Sequence, residues 1–179
     1  MKTFPVELPI ITRAGKFIAR YSEKGLAELD FPEMNRRRRG DESQILSASN
    51  GLVRDSSRRL LQNKIRNWHR VTETAVKKIL AGEKPKNLPP FDLSGTEFQK
   101  NVWNALRKIS FGKTKSYGEI AQAIGKRKAV RAVGGACGAN PVPVLVPCHR
   151  VLAANKKLGG FSGGLDWKRS LLAREGIEF

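Results

Sequence analysis

The sequence predicts an α/β (α+β) protein: a small N-terminal sheet-plus-helix domain over 1–88, then a mostly helical C-terminal domain over 89–179 containing a helix-turn-helix. Three observations predict it. Short β-type runs around a polar turn occupy the first third, and apolar residues then recur at helical spacing. A Pro- and Gly-rich stretch follows, and beyond it come short helices announced by capping boxes. The 179 residues suffice for one fair-sized domain or two small ones with a real core.

Taken in order, "KFIARYSEKGLAELDF" reads as two short strands around the turn "SEKG". "MNRRRRGDESQILSASNG" is rich in charge, Ser and Gly and has little to bury, so 34–51 is expected to be a mobile excursion. Its Arg run at 36–39 reads first as a solvated loop and second as a phosphate-contacting arm. From Ser56 onward Leu61, Ile65, Trp68, Val71, Ala75 and Ile79 recur at helical steps, and Gly82 suits the stop. His69 has no evident partner and is expected at the surface. "EKPKNLPPFDLSG", 83–95, reads as a linker.

Thr96 with Gln99 forms a capping box, and Phe98, Val102, Leu106 and Ile109 line one face of the helix it opens. "FGKTK" breaks that helix. Ser116 with Glu119 is a second capping box, opening "YGEIAQAIG" with Ile120, Ala121 and Ile124 inward. Gly125 ends it, and "AVRAVGGACG" reads as a third short helix, which completes a helix-turn-helix pattern. Residues before proline are pushed to extended geometry, so "NPVPVLV" is expected to be a rigid, buried, strand-like segment.

Charge narrows the partner. There are 34 Lys+Arg against 16 Asp+Glu, a formal +18, which favours a polyanion: nucleic acid ahead of a ribosome or an anionic membrane. Between positions 100 and 150 lie Lys100, Arg107, Lys108, Lys113, Lys115, Lys126, Arg127, Lys128, Arg131 and Arg150 against one acid, Glu119. A basic helix pair of this kind attracts duplex DNA. Its second helix carries Arg131 among small residues such as Ala132 and Gly135, not the Asn, Gln and Arg array that reads base edges. Such a helix approaches the backbone and minor groove closely, with little sequence preference.

No apolar run reaches bilayer-spanning length, and "MKTFPVELPIITRAGKF" lacks the apolar block of a secretory signal. No membrane association is expected. The expectation is an intracellular monomer: cytoplasmic in a bacterium or archaeon, nuclear in a eukaryote. Two cysteines, Cys137 and Cys148, are too few for a disulfide framework or a protein-only zinc site.

Cys148 stands directly before His149. Adjacent residues of an extended chain face opposite ways, so the imidazole assists the thiol only if the chain turns at Pro147 or a water bridges the two. An acid beyond the imidazole would orient it. Without such help a buried thiol is inert.

"PVPVLVPCHRV", with upstream "SYGEIA" and "RAVGGA" and downstream "GGFSGG" and "LLAREG", resembles the methylated-DNA–protein-cysteine methyltransferases, the 6-O-alkylguanine-DNA alkyltransferases. The resemblance covers roughly 96–176, with the motifs in order; the preceding residues match only as a supporting α/β domain. It implies single-turnover repair of double-stranded DNA carrying alkylated guanine, without metal or cofactor, with 6-O-methylguanine as substrate and 4-O-methylthymine as a further candidate. Cys148 would accept the alkyl group, His149 would take its proton through a water, and Glu175 would orient the imidazole. Asn140 would brace the turn that presents Cys148. Tyr117 would favour rotation of the nucleotide and could protonate the departing guanine, while Arg131 would fill the vacated stack, with Ala132 and Gly135 beside it on the DNA face. Ser162, Gly163 and Phe161 in the Gly-rich loop, the carbonyl of Val151 and the nearby Lys168 would form the base pocket. Phe161 stands where many relatives carry tyrosine, which removes a hydroxyl near the base. The rival readings are a non-enzymatic helix-turn-helix damage binder or regulator, disfavoured by Cys148, and a thiol hydrolase, which has no need of a basic helix pair.

Overall fold

The computed structural model describes residues 6–32, 56–154 and 157–178; the loop expected over 34–51 lies outside them. Three strands, β1 (Val6–Thr12), β2 (Gly15–Tyr21) and β3 (Leu26–Asp30), form an antiparallel sheet in that order. The sequence pattern predicts only the second and third. β1 escapes it because Pro9 interrupts "VELPIIT", and a proline is tolerated here on an edge strand, where no further neighbour needs its N–H. Period-two alternation puts Phe17, Ala19 and Tyr21 of β2 on the buried face, with Ile10 opposite Phe17.

The predicted long helix is α1 (Ser56–Leu80), which packs against β1 and buries Ile65, Ala75, Val76 and Ile79. His69 corrects the expectation of a surface residue. It is half-buried, with its Nδ1 3.2 Å from the Tyr21 hydroxyl and the two rings edge to face. The Pro-rich 83–95 stretch is stitched to the sheet. Leu26 N–H donates to the Pro90 carbonyl at 2.8 Å, and Asp92 N–H donates to the Leu26 carbonyl at 2.9 Å. The chains approach so closely that a Cβ on Gly25, which has φ +154°, would sit 2.3 Å from the Pro90 oxygen.

The C-terminal helices are α2 (Glu97–Arg107), α3 (Tyr117–Ala123), α4 (Val130–Gly138) and α5 (Leu165–Arg174). Both capping boxes close as their spacing predicts, at Thr96/Gln99 and at Ser116/Glu119. Fully buried Trp103 of α2 ties down α4 by donating its indole N–H to the Ala136 carbonyl at 2.8 Å. α3 packs on α4 across the 124–129 connection, which turns at Gly125 with φ +70°.

The 140–147 segment is buried as expected, but it is not a strand. It is a run of turns in which Val146 N–H reaches back to the Val142 carbonyl at 2.9 Å. Val144 sits there at φ +73°, a conformation that a β-branched residue holds only when its surroundings impose it. The chain then enters a short two-stranded parallel pairing of β4 (Lys115–Ser116) with β5 (Val151–Leu152). Among the described residues no helix is long and apolar enough to cross a membrane.

Candidate active site

The turn after α4 is organised by one side chain. Buried Asn140 accepts from Val142 N–H at 3.1 Å and donates through Nδ2 to the Val146 carbonyl at 2.8 Å and to Cys148 Sγ at 3.1 Å. An amide is suited to this, since it carries an acceptor and two donors. The chain then turns at Pro147 into a single 3-10 turn, Cys148–Arg150, whose three residues are all buried. Cys148 and His149 are thus placed by a helical turn and not by an extended strand.

Behind them lies a closed ionic cluster. Glu175, at the end of α5, meets His149 Nε2 at 2.8 Å and Arg150 Nε at 2.8 Å, and accepts from the Gly112 N–H at 3.1 Å. Arg150 Nη2 adds a bond of 2.9 Å to the same carboxylate, and Nη1 donates to the Ile109 carbonyl at 2.8 Å. Burial opposes charge on Glu175, but hydrogen bonds from His149 and Arg150 and their attraction hold its pKa down, at about 2. Burial also lowers the pKa of His149, against the pull of Glu175, so the imidazole rests neutral. A carboxylate can only accept, so the single imidazole proton sits on Nε2 and Nδ1 carries the lone pair. Nδ1 is buried and has no hydrogen-bond partner among the described residues.

Burial pushes the Cys148 thiol up to about 11, opposed by the Asn140 hydrogen bond and by the charge of Lys168. At rest it is therefore a protonated thiol beside a neutral base. Lys168 is fully buried, and that burial brings its pKa down to about 8. Its Nζ donates to the Val151 carbonyl at 2.6 Å, to the Leu158 carbonyl, and to the Gly160 carbonyl at 3.4 Å, pinning the Gly-rich loop to β5.

Cys148 opens onto a cavity of about 460 Å³ lined by Tyr117, Val130, Arg131, Gly134, Cys137, Gly138, Gly160, Phe161 and Ser162. Tyr117 donates to the Gly160 carbonyl at 3.3 Å, and burial raises its pKa to about 12, so it stays a donor. Gly159 is required beside it: its φ is +64°, and an added Cβ would lie 3.1 Å from the tyrosine ring. The far wall rests on the N-terminal sheet. Phe161 packs edge to face on Phe31 at 5.7 Å between centroids, and Phe31 and Phe17 pack on Trp167 at 5.0 Å and 5.8 Å. A larger cavity of about 670 Å³ lies behind the turn, against Pro147 and Arg150, and neither cysteine lines it.

Residues 97–177 match the model of the 6-O-methylguanine DNA methyltransferase, DNA binding domain family. A methylated-DNA–protein-cysteine methyltransferase of Methanosarcina acetivorans is 60% identical over 82 residues, 46% of this chain and 53% of that protein. Mycobacterium tuberculosis OGT, solved in complex with DNA, is 34% identical, with a TM-score of 0.66 over 93% of this chain and 90% of that one. The chain belongs to the 6-O-methylguanine DNA methyltransferase family. An O6-methylguanine DNA methyltransferase of Methanococcus jannaschii aligns over 96% of this chain and 95% of its own, at 30% identity and a TM-score of 0.63. The matched stretch spans just over half the length of the curated relatives, 53% and 58% for two of them.

On this methyltransferase fold the expected site residues fall into two groups. Cys148, Tyr117, Arg131, Phe161 and Ser162 meet around the cavity, and Asn140, His149 and Glu175 form the hydrogen-bonded support behind Cys148. Ala132 and Gly135 lie on the exposed face of α4, while Gly163 packs against Phe31 and Phe161 and does not line the cavity. Lys168 and Val151 sit beneath the pocket, bonded to each other. Two roles were missed. Arg150, counted among the bases facing a groove, is buried and committed to Glu175. The aromatic wall formed by Phe17, Phe31 and Trp167 has no local sequence signal, because its members come from distant elements.

Proposed function

We propose that this protein repairs DNA by direct reversal, moving the alkyl group of 6-O-methylguanine to its own Cys148 once per molecule. The observation that carries the reading is the Glu175–His149 pair, which leaves a buried imidazole lone pair on the residue next to the thiol. In this mechanism the thiol proton passes to His149 Nδ1 through a water, and the Glu175 carboxylate holds the resulting imidazolium charge. Sγ attacks the alkyl carbon, the oxygen–carbon bond breaks, and guanine leaves with the electron pair. Tyr117 protonates it, and the hydrogen-bonded base is the better leaving group for that donor. The thioether offers water no leaving group, so the protein is consumed.

The lesion is out of reach inside a duplex, so the nucleotide rotates out at a cost of about a few kcal/mol. The exposed face of α4, with Arg131, Ala132 and Gly135, enters the minor groove, and the α3–α4 pair acts as the helix-turn-helix. Ser162 N–H and the carbonyls of Cys148 and Val151 take the base edge. The Val151 carbonyl already accepts from Lys168 but has a second lone pair for the exocyclic amine. Residues 89–179 carry the chemistry, and 1–88 buttress it through the Phe31 contacts. A protein acting on DNA in this way resides where the cell keeps its DNA.

The test is intact-mass measurement after mixing with duplex DNA bearing 6-O-methylguanine. One added methyl per protein, mapped to the peptide containing Cys148, is expected. Turnover with unmodified protein, or tight binding with no mass gain, overturns the proposal. Arg131→Ala is expected to slow transfer in duplex DNA by about 10- to 100-fold, the worth of the unstacking it assists, and to leave transfer from single strands unchanged. Single-turnover rates on the two substrates check this.

A further inference from the structure

The C-terminal site leaves one feature of the N-terminal half unused. α1 carries Arg58, Arg59, Lys64, Arg66, Arg70, Lys77 and Lys78 against a single acid, Glu73. At about 100° per residue, Arg59, Arg66, Arg70 and Lys77 fall within about 20° of one line along the helix. All four are exposed, while Ile65, Thr72, Ala75 and Ile79 on the opposite side are buried. The stripe runs for about 27 Å at 1.5 Å per residue. Lys77 is paired with Glu73 at 2.8 Å; Arg59, Arg66 and Arg70 make no ion pair among the described residues. Uncharged hydrogen-bonding side chains, Gln62, Asn63 and Thr74, lie exposed alongside.

We propose that the exposed face of α1 is a second DNA-backbone contact surface, separate from the α3–α4 surface and independent of the chemistry at Cys148. Three guanidiniums in a line match phosphates better than ammonium groups would, because each fork grips two oxygens. Arg59 to Arg70 covers about 16 Å along the helix at 1.5 Å per residue, about five base pairs at 3.4 Å each, so one groove edge can engage all three. A membrane surface fits worse. An interfacial helix must bury its apolar face in lipid, and that of α1 is spent on the sheet. Contact here would hold a second duplex segment, or a distal part of the same one, and raise the rate of transfer between sites.

The test compares the triple variant Arg59→Gln/Arg66→Gln/Arg70→Gln with a charge-matched control, Arg13→Gln/Lys16→Gln/Lys24→Gln, on the exposed turns of the sheet. Binding to an undamaged linear duplex of about 40 base pairs is titrated at several salt concentrations. Losing three phosphate contacts should reduce the slope of log K against log salt by about 2 to 3 in the α1 variant. The control should barely change it. An unchanged slope in the α1 variant overturns the proposal, as does an equal fall in both, which would mark a net-charge effect. Binding to phosphatidylserine vesicles that falls with the stripe while duplex binding persists also overturns it. Methyl uptake from free 6-O-methylguanine nucleobase stays at the parent rate in both variants. Its loss from the parent chain would count against the alkyl-transfer reading and leave this one standing.

Discussion

Cys148→Ala is expected to take up no methyl group and still to hold damaged duplex DNA within a few-fold of the parent affinity. The removed atom is the only one the proposed reaction consumes. The rest of the site keeps its footing, because Asn140 retains Val142 N–H and the Val146 carbonyl when its bond to Sγ is gone. The stability cost is small, about 1–2 kcal/mol for one buried sulfur and one hydrogen bond. Intact mass and a binding titration at fixed salt measure the two halves of the expectation. The second thiol sharpens it. Cys137 lines the same cavity, but burial raises its pKa further, to about 12, and no histidine adjoins it in the chain. A methyl group recovered on Cys137, in the parent or the variant, would show that position in the cavity decides the acceptor. Methylation confined to Cys148 makes the imidazole next to it the deciding feature.

What could be read from the sequence follows the range of the interactions involved. The two capping boxes close within one helical turn, so spacing alone reveals them, and α1 announces its buried face by its period. The 140–147 segment misled because β-branched residues and prolines signal an extended chain. Here one amide side chain replaces the ladder partners that a strand would use. Arg150 was read as one more surface base because a charge tally cannot see a partner twenty-five residues away in the chain. His69 was misplaced for the same reason: its partner, Tyr21, comes from the sheet. The resemblance singled out Cys148, His149 and Glu175 from motifs apart in the chain; the buried cation that completes their cluster carried no such signal.

That cation makes the acid at 175 the most costly side chain in the site to alter. Glu175→Gln is expected to lose about 3–5 kcal/mol, the usual penalty for leaving a buried charge without its partner. For a chain of this size that is roughly a 10 °C fall in Tm. The amide must also turn an NH2 donor towards Arg150 or His149, both of which are donors there. Methyl uptake should slow by about 100-fold or more as the imidazole loses its orientation. Two double variants separate the effects. Arg150→Leu/Glu175→Gln removes the stranded charge but leaves an oxygen for His149 Nε2, so both stability and uptake recover in part. Arg150→Leu/Glu175→Leu recovers stability alone. If the second recovers uptake as well, the acid has no orienting role. Acid titration gives an independent check. The folded pKa of Glu175 lies below its ordinary 4.5, at about 2, so its stabilisation is present above pH 4.5 and drains away as the pH falls towards 2. The stability gap between parent and Glu175→Gln should therefore narrow across that window and stay constant above it. A gap that stays constant down to pH 2 would mean the carboxylate gains nothing from its partners.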